Sequence, residues 1–197
     1  GESFQVEGKG LNDWFDARFD QKMAEREATK TAMLSILVTK GTLDWAYTTF
    51  ILASTAAALG WKVSLFFTFY GLSLLKKDLS LSISGLGNPA MPMKMPFGPG
   101  WFRDIEWSIP NLLQANIPGF ETVATALMKQ TLHQKGVADV AELRDACKEM
   151  GVEMVACQMT VDLFGWSKED FFDGVSEWAG AVTYLTKACE ADVTLFT

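Results

Sequence analysis

The sequence predicts an α/β domain around a mainly parallel sheet of about five strands, and three features carry that reading. Short apolar runs at 32–38, 62–67 and 152–156 have the length and composition of strands buried on both faces. Helical patterns closed by Gly60, Gly151 and Gly165 alternate with them. Strand, helix and strand within 32–67 make one right-handed βαβ unit.

In chain order, residues 1–30 are charged and place Leu11, Trp14, Phe15, Phe19 and Met23 at helical spacing. They form an amphipathic N-terminal arm, set apart from a domain at 31–197. Its apolar stripe is expected to pack on its own domain or on a neighbouring subunit. A membrane-surface helix is disfavoured, because acids are at least as frequent as bases among its polar residues. The first strand follows, then a turn at Thr39-Lys40-Gly41-Thr42, with Thr42 placed to cap a helix running to Leu59. After the strand at 62–67, Thr68-Phe69-Tyr70-Gly71 leads into a short helix ending at Lys76-Lys77.

Residues 80–118 break this rhythm. Pro89, Pro92, Pro96 and Pro99 prevent regular structure, while Met91, Met93, Met95, Trp101, Phe102 and Trp107 make the insertion apolar. A segment of this kind serves function or contact, and it is expected to be ordered against another part of an assembly. Its Met-Pro-Met-Lys-Met-Pro run offers thioethers to Cu(I), but irregular hydrophobic contact is the expected role. Helices at 119–134 and 140–150 precede the third strand at 152–156. Beyond it come Cys157, a short helix to Leu163 or Phe164, and a Ser167/Asp170 capping pair. A weak strand near 174–176, a helix at 180–189 and a strand at 192–196 complete the chain.

Composition narrows the function. A hydrophobic fraction of 49% over 197 residues sustains one sizeable core. The net charge of −7 argues against nucleic acid, which needs a basic surface. Three cysteines and the single histidine, His133, make neither a disulfide framework nor a zinc site, and reduced thiols suit the cytoplasm. No metal or cofactor is expected, since Gly85-Leu86-Gly87 lacks the remainder of a dinucleotide fingerprint. The apolar stretch 50–69 is interrupted by Gly60, Trp61 and Lys62, which excludes it as an integral membrane segment. Gly1-Glu2-Ser3-Phe4 shows no basic-then-apolar leader pattern.

The chemistry centres on Cys157. Reactive groups in parallel sheets gather outside the carboxyl ends of the strands, and Cys157 follows a strand and precedes a helix. The N–H groups of Gln158, Met159 and Thr160, with the helix dipole and the Thr160 hydroxyl, lower a thiol's pKa and hold a thiolate or persulfide anion. The alternative is a small buried cysteine at a strand end. Cys147 and Cys189, late in their helices and on apolar stripes, read as core residues.

Several segments together resemble the DsrE/DsrF/DsrH-like proteins, in the branch often labelled peroxiredoxin-like. They are Lys40-Gly41-Thr42-Leu43-Asp44, Phe66 to Leu72 with Leu75-Lys76-Lys77, Gly151-Val152 and Ala156-Cys157-Gln158-Met159-Thr160, continuing into Asp173-Gly174-Val175. The resemblance covers roughly residues 31–197. It implies a flavodoxin-like three-layer sandwich that forms homo-oligomers. It also implies a sulfurtransferase or sulfur carrier in a cytoplasmic relay with rhodanese-like and TusA-like carriers. The family's persulfide-bearing cysteine falls on Cys157, and a cysteine at the position of Cys147 recurs, making it a secondary thiol candidate. In flavodoxin-like order the first and third strands are neighbours, which brings Lys40 and Gly41 beside Cys157 as anion stabilisers. The rival readings are a non-catalytic assembly subunit binding through 80–118 and a thiol–disulfide oxidoreductase, the latter weakened by the lack of a Cys-x-x-Cys motif.

Overall fold

A computed structural model describes residues 8–83, 98–105 and 118–197. The chain divides into two compact units, Gly1–Ala32 and Met33–Thr197. The first holds α1 (Gly8–Thr29), whose described side chains are exposed. Met91, Met93, Met95 and Trp107 of the apolar insertion lie outside the described residues.

The second unit runs β1 (Met33–Val38), α2 (Leu43–Ala58), β2 (Lys62–Phe67) and a 3-10 turn (Phe69–Leu75). After α3 (Gly100–Arg103) come α4 (Phe120–Gln134), α5 (Val140–Glu149), β3 (Glu153–Cys157) and α6 (Gln158–Phe164). A second 3-10 turn (Lys168–Asp170), β4 (Glu177–Ala179), α7 (Ala181–Glu190) and β5 (Val193–Phe196) finish it. Five strands form one sheet in the order β4-β3-β2-β1-β5, and every pair is parallel. With helices flanking it, the sheet is that of an α/β sandwich of the flavodoxin-like kind.

Handedness distributes the helices. From β1 to β3 the chain steps in one direction across the sheet, so right-handed crossovers lay α2 and α5 together on one face. From β4 the chain returns across the whole sheet to β5, which sends α7 to the other face. Side-chain alternation separates two cores accordingly. Leu34, Ile36, Val38, Leu65, Phe67, Met154 and Ala156 meet Phe50 and Ala53 of α2 in the larger one. Phe66, Val155 and Cys157 meet Tyr184 of α7 in the smaller, where the Phe66 and Tyr184 rings are 5.3 Å apart.

Several expectations change. The first and third strands are not neighbours: β2 lies between them, because its crossover places it directly beside β1 and β3 beside it in turn. The weak strand lies three residues later than expected, at Glu177–Ala179, paired with β3 in the register Cys157↔Ala179. The short helix expected after Thr68 is present as a 3-10 helix, Phe69–Leu75. Thr42 stands at the N-cap of α2 but makes no capping bond, and its buried hydroxyl has no hydrogen-bond partner. The Ser167/Asp170 capping box does form, the Ser167 amide donating to Asp170 Oδ2 at 2.9 Å.

The 3-10 turn is locked against the end of β1. The Thr68 amide donates to the Val38 carbonyl and the Gly71 amide to the Thr39 carbonyl, each at 3.0 Å. A methyl on Gly71 would strike the Val38 carbonyl, and one on Gly41 would strike the Tyr70 carbonyl and the Ser73 hydroxyl. Buried Arg144 holds the far end, Nη1 donating to the Leu74 and Lys76 carbonyls at 3.1 and 2.7 Å. Gly71→Ala is therefore expected to destabilise the protein by about 1–3 kcal/mol through overpacking, read from denaturant melts. Wild-type stability in that variant would show that the turn moves freely.

Candidate functional site

Cys157 is the last residue of β3 and the N-cap of α6, with extended backbone at φ −70° and ψ 106°. Its position is a topological one. The helix after β3 enters the larger core through Val161, whereas the helix after β4 lies on the opposite face through Tyr184. Adjacent strands whose following helices diverge leave a crevice at their carboxyl ends, the usual place for a reactive group in such a sheet. Cys157 stands at that carboxyl edge, opposite Ala179.

Only 4% of Cys157 is exposed. Burial pushes its thiol upward, but four hydrogen-bond donors outweigh burial and leave it below the ordinary cysteine value. They are the hydroxyl and amide of Thr160, the hydroxyl of Thr68 and the amide of Met159. Cys157 makes no side-chain capping bond to α6, so these groups act chiefly on the charged form. The Thr68 and Thr160 hydroxyl oxygens lie 3.2 Å apart and bond to each other. When sulfur is ionised, each hydroxyl can turn its proton to it instead. Thr160 is fully buried, and the Phe69 amide approaches its Oγ1 at 3.5 Å.

Phe69 supplies that amide at a cost. Its φ of +46° lies in the left-handed region, where a bulky side chain is strained by roughly 1–3 kcal/mol. The turn bonds from Thr68 and Gly71 over-determine this conformation. Phe69, Tyr70, Met159 and Leu163 all remain exposed around this edge, so the buried sulfur has an apolar rim.

The other expected residues fall differently. Gln158 turns its side chain away, Nε2 donating to Asp162 Oδ1 at 2.7 Å. Lys40 lies in the turn after β1, a strand two spacings from β3 or about 10 Å along the sheet, and its ammonium stacks 3.4 Å from the Trp45 ring centroid. Gly41 serves close packing against the 3-10 turn. Thr68 takes the place expected for Lys40. Its signal in the sequence was a threonine directly after the second strand, legible only once that strand is known to adjoin the third.

Cys147 is wholly buried in the larger core, where Sγ donates to the Phe50 carbonyl at 3.6 Å and burial pushes the thiol up to about 12. Cys189, expected in the core, is exposed on α7, since it shares the outward side of the helix with Val182 and Leu185, opposite Tyr184, which packs on the sheet. In a Cys189→Ser background the native protein should alkylate at Cys157 alone, with Cys147 reacting only on unfolding. The oxidised monomer should contain no Cys147–Cys157 disulfide, because the two thiols point into cores on opposite faces of the sheet. Peptide mapping of the oxidised monomer checks this, and a high yield of that crosslink would contradict the assigned faces. Among the described residues no group of three or more His, Cys, Asp or Glu is placed to hold a metal, and no helix is long and apolar enough to cross a membrane.

Residues 30–196 match the model of the DsrE/DsrF/DrsH-like family. The chain belongs to that family. A sulfur carrier protein, DsrE2 of Allochromatium vinosum, is 52% identical over 163 residues, covering 83% of this chain and 96% of its own. The Bacillus subtilis protein YrkE is 28% identical over 167 residues, or 85% of this chain and 98% of its own. The family match begins at Lys30, so α1 lies outside it while Thr68, Cys157 and Thr160 lie within.

Proposed function

We propose that this DsrE-like chain is a sulfur carrier that holds sulfane sulfur as a persulfide on Cys157. The observation that carries this reading is the convergence of the Thr68 and Thr160 hydroxyls with two backbone amides on one buried sulfur at the carboxyl edge of the sheet. The likeness to a sulfur carrier protein supports it.

The transfer needs no redox partner. The Cys157 thiolate attacks the outer sulfur of a donor persulfide, R–S–SH. A new S–S bond forms on Cys157, the donor's S–S bond breaks, and the donor leaves as R–S⁻. The proton stays with the transferred sulfur or passes to water. Attack by an acceptor thiolate on that outer sulfur reverses these events and regenerates the Cys157 thiolate. Donor groups that stabilise the thiolate serve twice, since the thiolate is both nucleophile and leaving group.

Rhodanese-like and TusA-like carriers in the cytoplasm are the partners this chemistry suits. Exposed Val182, Leu185 and Phe196 support a homo-oligomer. A dithiol cycle is disfavoured by the placement of Cys147. Incubation with a persulfide donor, followed by mass spectrometry of the intact protein and its peptides, is expected to show one added sulfur on Cys157. Loading confined to Cys189, or none at all, would overturn the proposal.

A further inference from the structure

Among the described residues every positive-φ position but one is a glycine, and the exception is Phe69 beside the sulfur. A glycine would adopt that left-handed conformation without strain. The Phe69 ring is 47% exposed, so burial within the fold offsets little of the cost. Its neighbours repeat the pattern. Tyr70 is 72% exposed, its ring 6.2 Å from that of Phe164. Met159 and Leu163, one turn apart on α6, are exposed as well. Together they surround with apolar surface a sulfur that is itself almost closed to solvent.

Exposed apolar side chains gathered at a reactive group are a contact for the molecule that reacts there. The charges nearby say which kind. The ammonium groups of Lys40 and Lys76 lie over the Trp45 and Trp166 rings, 3.4 and 3.8 Å from the centroids, and Asp162 of α6 is bonded to Gln158. The rim thus offers carbon where a small thiol such as glutathione carries carboxylates, and desolvating a charge without a partner is costly. A cysteine held between apolar side chains meets no such penalty and buries its flanks. Depth points the same way. A sulfur only 4% exposed is reached by a projecting segment, whose flanks then rest on Phe69, Tyr70 and Leu163.

We infer that the rim of Phe69, Tyr70, Met159 and Leu163 is a docking surface that selects a partner protein's cysteine by its apolar flanks and discriminates against small charged thiols. Its purpose rests on the carrier reading, and the test separates the two. Two peptides each carry one cysteine activated as its disulfide with thionitrobenzoate, flanked by leucine and phenylalanine in one and by serine and asparagine in the other. The Cys157 thiolate attacks the peptide sulfur, a disulfide forms between peptide and protein, and thionitrobenzoate leaves as a coloured thiolate. In a Cys189→Ser background the apolar peptide should react roughly 10-fold faster than the polar one. Y70S/L163S should bring that ratio close to one. Phe69→Gly should lower the ratio while moving the denaturation midpoint to higher denaturant, because the ring serves contact rather than folding. Equal rates for the two peptides, an unchanged ratio in Y70S/L163S, or a less stable Phe69→Gly would overturn the inference. So would a benzyl mixed disulfide that reacts as fast as the apolar peptide, which would give the rim a small apolar occupant. Persulfide loading of Cys157 without the preference would leave the carrier reading standing and remove this role from the rim, whereas the preference without loading would do the reverse.

Discussion

Replacing Cys157 with serine is expected to abolish sulfur loading while leaving the fold intact. Serine matches the thiol in size and retains the capping geometry, and the oxygen can bond to the Thr68 and Thr160 hydroxyls that face this position. Loss of stability should stay within about 1–2 kcal/mol near neutral pH. The difference should itself depend on pH. The folded thiol lies below its ordinary value, so ionisation stabilises the fold fully above the unfolded thiol pKa of about 8.5. That contribution fades as pH falls through the folded pKa. Wild type should therefore gain on Cys157→Ser in alkaline solution, measured by paired denaturant titrations. A variant that still accumulates one sulfur per chain would move the carrier site elsewhere, and Cys189 is the exposed candidate.

Removing the hydroxyls should slow the same thiol without removing it. Thr68→Val and Thr160→Val preserve shape and delete one donor each. A hydrogen bond to a charged group contributes about 1.5–3 kcal/mol, and one pKa unit corresponds to about 1.4 kcal/mol. Each variant should thus raise the Cys157 pKa and cut its alkylation rate at neutral pH by roughly 10-fold or more. The pH–rate profile should move to higher pH, while the rate at full ionisation stays near that of wild type. Thr68→Val is the cleaner of the two, since Thr160 also receives the Phe69 amide and is fully buried. A slower reaction with an unmoved profile would assign these hydroxyls a purely steric role. Lys40→Ala should leave the profile where it is, because its ammonium is engaged by Trp45 two strands away.

Much of this was legible in the chain. Buried parallel strands are continuous apolar runs, so β1 and β2 could be read to within a residue, and a thiol directly after such a run must lie at the carboxyl edge. Cys147 could be placed in the core because helical periodicity fixes which side of α5 faces the sheet.

Strand order was a different matter. A one-dimensional pattern states that a strand is buried, not which strand bonds to it, and the edge hydrogen bonds that decide adjacency come from residues far apart in sequence. That single uncertainty exchanged Lys40 for Thr68 as the second contributor to the site. Cys189 was misplaced for another reason: the apolar stripe it shares with Val182 and Leu185 is the outward side of α7, opposite Tyr184. The position of the proposed sulfur-carrying thiol was thus written in local sequence, through strand, thiol and helix in succession. Its electrostatic environment was decided only when folding set β2 beside β3 and brought the hydroxyl of Thr68 to the sulfur of Cys157.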